Sequence, residues 1–496
     1  MTDQPHAVFR ADASAAIGGG HIMRCLVLAD ELQTLGWRTT FAVNEGAEEV
    51  IASSMTAASR VTPLPPDVLA CRASVIRAIG GSCDLMVIDH YGLDTAFEKG
   101  ARQGAARVIV LDDLATRPHD CDLLLDPSPG RKPSDYTGLV PANCRVLTGP
   151  HFALLRREFI SARSGMPLHD QTADNRFRIV ISFGLTDPTN MTAHALRAIT
   201  GSGLDVDIDV ILGGKAPYLE EIVQIIGTVD ENIVLHIDPE NIPRILAAAD
   251  LAIGSAGGSA FERCCLGLPS IVLSIADNQE SNIQGLAAMN AIFPLKVTAG
   301  DEQTLIAHAF QELVADRPRR IAMSIAAAQI CDGRGAGRVV QYLLPETDTC
   351  GNTVATRPAG EEDINRIFEW QTIPGIRKYS RTPHAPTLDE HRRWMQRRLA
   401  STKGVFEILE CESSPCGFIR LDPVAETKNT FEVSILIDPA FQGRGIGTCA
   451  LRLARRLIPD GIFHASIHKD NAPSMRIFMA TGYCKEGDRF ISRVKH

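Results

Sequence analysis

Asp12-Ala13-Ser14-Ala15-Ala16-Ile17-Gly18-Gly19-Gly20-His21-Ile22-Met23-Arg24-Cys25 follows a short apolar run and opens an amphipathic segment from Leu26 to Leu35. This order predicts a strand, a glycine turn and a helix with a histidine on its first turn. Three glycines let the backbone approach a bulky polar ligand, and a helix N-terminus offers unpaired N–H groups and positive dipole to a diphosphate. His21 would face the same ligand. One such turn is equally explained by glycines that pack a helix on a strand. A second one shifts the balance: Asp250 to Arg263, with Gly254, Gly257, Gly258 and Ser259, reads as a buried strand, another flexible turn and a helix carrying Glu262. Two half-sites imply two facing α/β domains with a nucleotide-sugar in the cleft between them.

With 496 residues the chain has room for about three domains at roughly 150 residues each. A net charge of −9 and the lack of a long Lys/Arg run argue against a nucleic-acid partner, so any phosphate affinity must be local. The start Met-Thr-Asp-Gln-Pro-His lacks a basic and apolar leader, and no later apolar run approaches a membrane span; a cytoplasmic protein with no membrane partner is expected. The 13 cysteines are dispersed, odd in number and without paired ligand spacing, and read as reduced thiols. Cys264-Cys265 and His119-Asp120-Cys121-Asp122 invite a metal, but the first pair suits an apolar helix and the second the start of a strand, Cys121 to Leu125. No metal is expected.

The expected division is 1–165, 174–345 and 353–496. In the first part, apolar runs such as Leu85–Asp89 and Val108–Asp112 alternate with helical stretches and end in Asp, at the sheet edge where open parallel sheets place ligand loops. An Asp there also caps helices. Asp89, His90 and Tyr91 are expected to line the cleft. Polar Arg163–Asn175, with Gly165 and Pro167, suits a crossover linker. Strands are expected at Arg178–Phe183, Asp207–Leu212, Ile233–His236 and Leu251–Gly254, again a doubly wound pattern.

Asp12–Cys25, Asp89-His90-Tyr91-Gly92-Leu93-Asp94, Asp112-Asp113-Leu114-Ala115, Cys121–Asp126, Gly149-Pro150, Leu154-Leu155-Arg156, Ser182-Phe183-Gly184 with Thr186-Asp187-Pro188, Glu262–Pro269, Asp277-Asn278-Gln279 and Asp332-Gly333-Arg334-Gly335 together resemble the UDP-sugar hydrolases of pseudaminic acid biosynthesis. These are relatives of GT-B glycosyltransferases that pass their sugar to water, and the likeness runs in order through about residues 7–343. The resemblance implies that His21 is the base that deprotonates water, with Asp12, Gly18, Gly19, Gly20, Asp89, His90 and Tyr91 around the substrate. It further implies that Gly257, Gly258 and Ser259 hold the diphosphate, Glu262 accepts from the ribose hydroxyls, and Asn278 with Gln279 meets the sugar. Asn278 also suits a turn. Leu185 and Phe261 depart from the family pattern, where glycine and tryptophan are usual.

In the last part a strand, Phe431–Ile437, precedes Asp438-Pro439-Ala440-Phe441, then Gln442-Gly443-Arg444-Gly445-Ile446-Gly447 and a helix, Thr448–Leu457. This resembles the acetyl-CoA loop of GNAT acetyltransferases, as do His464–His468, Lys469–Phe478 and Gly482-Tyr483; Glu369-Trp370-Gln371 and His391–Trp394 are similar to the N-acetyltransferase of the same sugar pathway. The resemblance implies that Gln442, Gly443, Arg444, Gly445 and Gly447 hold the pyrophosphate, with Arg444 adding charge, and that Asn471 and Ser474 also meet acetyl-CoA. A backbone N–H near Leu436 and Ile437 would polarise the thioester, and Glu432 would relay the amine's proton, although a solvated or paired carboxylate is its other reading. Phe478 stands where many GNAT enzymes have a tyrosine acid, leaving Tyr483, Ser474 or water for that task.

The fold expected is therefore two doubly wound Rossmann-like domains, GT-B-like, followed by an α+β GNAT domain. The function expected is acetyl-CoA-dependent N-acetylation of a UDP-amino-sugar and inverting hydrolysis of the acetylated UDP-sugar. Two alternatives stay open: a GT-B glycosyltransferase with a sugar or lipid acceptor fused to a GNAT domain, and a UDP-sugar sensor with a protein N-acetyltransferase domain.

Overall fold

Each long apolar run of the N-terminal part becomes a parallel strand buried on both faces, the reason these segments are continuous rather than alternating in hydrophobicity. The computed structural model describes residues 4–14, 18–48, 59–65, 75, 81–164, 176–229, 232–297, 300–425, 427 and 429–492. Residues 15–17 of the first glycine turn and 165–175 of the expected linker lie outside these. The chain forms two compact units, Met1–Ala336 and Gly337–His496.

The first unit holds two sheets. Strands β1 (His6–Ala11), β2 (Arg38–Asn44), β3 (Ser59–Leu64), β4 (Cys83–Asp89), β5 (Ala105–Leu111), β6 (Leu123–Asp126) and β7 (Arg145–Thr148) make a seven-stranded parallel sheet in the order β3-β2-β1-β4-β5-β6-β7. Strand order reverses between β1 and β4. A crevice opens at such a switch point, because the connections on its two sides leave to opposite faces. Helix α1 (Gly20–Thr34) follows β1 and buries Ile22, Cys25, Leu26 and Ala29 on helical spacing.

The second sheet is also wholly parallel. Strands β8 (Phe177–Ser182), β9 (Val206–Leu212), β10 (Ile233–Ile237), β11 (Leu251–Ser255), β12 (Ser270–Leu273) and β13 (Phe293–Leu295) run in the order β10-β9-β8-β11-β12-β13, with the reversal between β8 and β11. Helix α2 (Arg157–Ser164) packs into this second core, Phe159 lying in one cluster with Cys264, Cys265 and Leu266, and Arg163 donating to the carbonyls of Cys265 and Ala328. The second core thus recruits chain from before residue 165. Helix α3 (Gly258–Cys265) follows β11.

The second unit holds a mixed eight-stranded sheet: β14 (Glu346–Thr347), β15 (Thr353–Pro358), β16 (Val405–Cys411), β17 (Ser414–Pro423), β18 (Thr430–Ile437), β19 (Ile462–Ser466), β20 (Cys484–Glu486) and β21 (Arg489–Ser492), in the order β14-β15-β16-β17-β18-β19-β21-β20. Its one parallel pair is β18 with β19. That pairing covers only Thr430–Glu432 against Ile462–His464, while β18 runs on to Ile437. The strands therefore part beside Leu436 and Ile437. Helix α4 (Ile446–Leu457) buries Ile446, Cys449, Ala450, Leu453, Ala454 and Leu457 and turns Arg452 outward, and helix α5 (Ala472–Ala480) lies against it. Two doubly wound Rossmann-like domains followed by an α+β domain is the architecture expected from the sequence. No helix among the described residues is long and apolar enough to cross a membrane.

Candidate active sites

The first site forms where β1 and β4 diverge. The sharp exit from β1 is closed by Gly18, whose N–H donates to the Ser14 carbonyl at 2.7 Å and whose φ of +79° an L side chain rarely adopts. Gly19 caps α1, which places His21 in its first turn. The β1/β4 register sets Ala11 beside Asp89, so the β4 carboxylate ends next to the histidine. Asp89 Oδ1 lies 2.6 Å from His21 Nδ1. Arg24, one helical turn on, donates to both oxygens of Asp89, at 2.5 and 2.6 Å.

Asp89 was expected to line the cleft; the structure corrects this, for it is 1% exposed and sits behind His21. Burial alone would push its carboxyl up. The Arg24 guanidinium and the His21 ring outweigh burial and hold it well below the usual carboxylate range. An ionised carboxylate only accepts, so the 2.6 Å contact makes Nδ1 the donor, and in the neutral ring Nε2 is then the lone pair. Arg24 Nη2 also lies 3.3 Å from Nδ1, a contact too long to compete.

Around this pair the side chains close a ring. Arg24 reaches Asp113 at 3.1 Å, Tyr91 Oη donates to Asp113 at 2.7 Å, and the Tyr91 ring stands edge-on to His21 with centroids 4.8 Å apart. Asn278, from the loop after β12, donates to Tyr91 Oη at 2.9 Å. A Cβ at Gly18 would lie 3.9 Å from Thr186 Oγ1, so loops of both sheets meet here. Asp12 is fully engaged: it accepts from Arg10, from His90 at 2.9 Å and from the Asn44 N–H at 3.2 Å. His90 Nδ1 accepts from Gly92 N–H, which makes Nε2 the donor to Asp12.

On the second sheet, the N–H groups of Gly257, Gly258 and Ser259 have no hydrogen-bond partner among the described residues, nor do those of Gly19, Gly20 and His21 on the first. Gln279 is committed inward, its Oε1 accepting from Ala256 and Ile275 N–H at 3.2 and 3.3 Å. The Glu262 carboxyl, pushed up by burial against the pull of Arg156 and Arg263, has no side-chain partner among the described residues. It is open to hydroxyl donors.

In the second unit the loop after β18 carries Gly443 and Gly445 at φ +79° and +80°. The N–H groups of Gly443, Arg444, Gly445, Ile446 and Gly447 make no hydrogen bond among the described residues, a concave set of donors at the start of α4 suited to a pyrophosphate. Arg444 was expected to lend its charge to the ligand; its guanidinium is bound to Asp348 instead, at 2.9 Å through Nε. Gln442 turns back to the Ile437 carbonyl at 3.2 Å, Asn471 caps α5 by accepting from Ser474 N–H at 3.2 Å, and Gly447 gives room to Ile477. Tyr483 is 5% exposed and packed edge-on to Phe478, its hydroxyl without a partner among the described residues and its pKa raised by burial. Glu432 accepts from Arg381 and, at 3.1 Å, from Ser466 Oγ, at the mouth where β18 and β19 separate.

The reading of the sequence passed over Arg24, Asp113, Arg263 and Asp348. Arg24 carried a signal, since i and i+3 share a helix face with His21. Asp113 and Asp348 depend on partners far away in the chain, and Arg263 on two groups of its own loop, Ser255 and Ser259.

Residues 354–483 match the Acetyltransferase (GNAT) domain family. The chain is 28% identical over 283 residues, 56% of its length and 95% of the relative's, to the UDP-2,4-diacetamido-2,4,6-trideoxy-beta-L-altropyranose hydrolase of Campylobacter jejuni. An uncharacterized protein of Methanocaldococcus jannaschii is 22% identical over 494 residues, 96% of each chain. The crystal structure of Acinetobacter baumannii MurG superposes with a TM-score of 0.50 at 16% identity, covering 68% of this chain and 99% of that one, a likeness of fold.

Proposed function

We propose that this chain, which joins a homologue of a UDP-sugar hydrolase to a GNAT acetyltransferase domain, catalyses two consecutive steps of pseudaminic acid biosynthesis. The second unit acetylates the 4-amino group of UDP-4-amino-4,6-dideoxy-N-acetyl-β-L-altrosamine. The first unit hydrolyses UDP-2,4-diacetamido-2,4,6-trideoxy-β-L-altropyranose to the free sugar and UDP. The observation that carries the hydrolase reading is the His21–Asp89 contact, which holds Nδ1 as the donor and turns Nε2 to the base's task, beside glycine N–H groups that have no partner among the described residues.

In this mechanism Nε2 takes a proton from water as its oxygen attacks the anomeric carbon. The bond to the diphosphate breaks, and its electron pair leaves on the phosphate oxygen, where the N–H groups of Gly257, Gly258 and Ser259 receive the charge. Direct displacement inverts the anomeric centre. Asn278 and Tyr91 hold the sugar against His21, and Glu262 accepts from the ribose.

In the second unit the amine attacks the thioester carbonyl, polarised by a backbone N–H of β18 near Leu436, and the thiolate departs. Glu432 takes the amine's proton through water. An acceptor that carries a diphosphate needs cations, and this face of the sheet has them. Arg420 binds Asp422 at 2.8 Å, Arg398 also binds Asp422, Arg381 binds Glu432, and Arg377 is held, among the described residues, by Gln371 and the Thr382 carbonyl. Burial first, and then Arg398, Arg381 and Arg377, draw the pKa of Arg420 down to about 10. Four guanidiniums around two carboxylates favour an anionic acceptor over a polyamine.

The test is mass spectrometry with proton NMR on the full chain given the UDP-amino-sugar with and without acetyl-CoA. Free diacetamido sugar and UDP should appear only with acetyl-CoA. Accumulation of intact acetylated UDP-sugar would refute the hydrolase and point to a glycosyltransferase that awaits an acceptor.

A further inference from the structure

Beneath the second glycine loop lies a buried cation that the mechanism above does not use. Arg263, on α3 directly after Glu262, is 2% exposed. Its Nη2 donates to the Ser255 carbonyl at 2.5 Å and its Nη1 to Ser259 Oγ at 3.2 Å, while Nε has no partner among the described residues. No carboxylate among the described residues comes within ion-pair distance. A guanidinium taken out of water normally brings a counter-charge with it, because desolvating it alone is costly. Burial already draws its pKa down to about 10, with only weak support from Cys264 and Glu262.

The backbone is shaped to admit it. A Cβ on Gly254 would lie 2.9 Å from Arg263 Nη1 and 2.2 Å from the Ser182 carbonyl, so glycine there clears the space the guanidinium fills. Both groups that the guanidinium holds, Ser255 and Ser259, belong to the loop whose N–H groups at Gly257, Gly258 and Ser259 have no partner among the described residues. Ser259 Oγ accepts from Arg263, which frees the hydroxyl proton for another acceptor.

We infer that Arg263 is the resident counter-charge of the diphosphate site, a positioning residue that acts on the ligand through Ser259 and through space rather than by contact. This rests on the proposal that the second sheet's glycine loop takes the diphosphate of UDP. The missing anion is then supplied by the ligand, and the same charge stabilises the leaving UDP.

The experiment is binding of UDP and of uridine to the full chain, by calorimetry and saturation-transfer NMR, for wild type, Arg263→Lys, Arg263→Met and Ser259→Ala. Arg263→Met should weaken UDP about ten- to hundredfold, the range of a charge-assisted interaction, and leave uridine almost unchanged. Lysine should recover part of the loss, and Ser259→Ala should weaken UDP more than uridine. Equal weakening of both ligands, or none for UDP, would overturn the inference and leave Arg263 as a brace for the Ser255 carbonyl. Should the methionine variant fail to fold, Ser259→Ala and Arg263→Lys decide by the same UDP-to-uridine ratio. Failure of the wild-type protein to bind UDP would sink the diphosphate reading and this inference together; wild-type binding matched by all variants would sink this inference alone.

Discussion

Asp89→Asn keeps the shape of the residue behind His21 and removes its charge. In the native arrangement Oδ1 takes both His21 Nδ1 and Arg24 Nη2 at 2.6 Å, and Oδ2 takes Arg24 Nε at 2.5 Å. An amide has one acceptor for these donors. If its oxygen faces Arg24 Nε, its NH2 points at Nδ1 and moves the imidazole proton to Nε2, which removes the base. If its oxygen faces Nδ1, its NH2 opposes Arg24 Nε in a 1% exposed site. A general base contributes about 10²- to 10⁴-fold, so kcat for UDP release should fall by that factor, a barrier increase of about 3–5 kcal/mol. Breaking a buried pair costs a similar amount in stability, so the melting temperature must be measured alongside turnover. The assay is UDP release from the diacetamido UDP-sugar at saturation, with His21→Ala and the double variant beside it. Both singles and the double should be about equally slow, since the two residues act as one unit. The reasoning is refuted if Asp89→Asn turns over within about threefold of wild type, or if the double variant is much slower than His21→Ala.

His119 is fully buried between Glu98 at 2.8 Å and Asp112, which overcome its burial and raise its pKa to about 9. A folded pKa above the unfolded 6.5 means stability present in full below about pH 6.5 and lost as pH rises through 9. Urea midpoints should therefore drop across that window by the equivalent of about 3 kcal/mol, and His119→Gln should abolish the drop. Gly254→Ala forces a Cβ to 2.2 Å from the Ser182 carbonyl in the neighbouring strand, and overpacking of this kind costs about 3 kcal/mol or more; an unchanged melting temperature would show that β11 can shift. Asp348→Ala releases Arg444 and the backbone N–H groups of Cys350 and Asn352. It should raise KM for acetyl-CoA several-fold with KM for the amine unchanged, whereas a rise in both would argue against a local effect on the cofactor loop.

Local features were legible because they are local. The apolar run before Asp12, the glycines after it and the helix from Gly20 follow from backbone rules that act within a few residues, as do Gly443 and Gly445 in the loop after β18. What the sequence hid was the use of each polar side chain. Asp89 reads as cleft lining or helix cap until the strand order puts β4 beside β1 and its carboxylate beside His21. Arg444 looks like a phosphate ligand until Asp348, 96 residues earlier, is seen to hold it. Tyr483 looks available as an acid until Phe478 and the surrounding core close over it. Charged and hydroxyl groups take whatever partner the tertiary fold brings near, and one-dimensional spacing does not encode that choice.

The net charge of −9 is at odds, at first sight, with the proposal that the chain binds two diphosphates. The contradiction dissolves at the scale on which charge acts. Exposed charges more than about 10 Å away are largely screened at physiological salt, so the acidic surface counts little against groups held at contact distance. Those groups are of two kinds: backbone N–H donors at helix starts, which add no net charge, and arginines without a carboxylate partner among the described residues. Arg263, buried without a carboxylate, and Arg377, held by an amide and a carbonyl, are each left with a charge that no protein anion neutralises in the described residues. An acidic protein with a few such cations in its clefts favours anionic ligands there and repels polyanions elsewhere, and a basic surface would give up that discrimination.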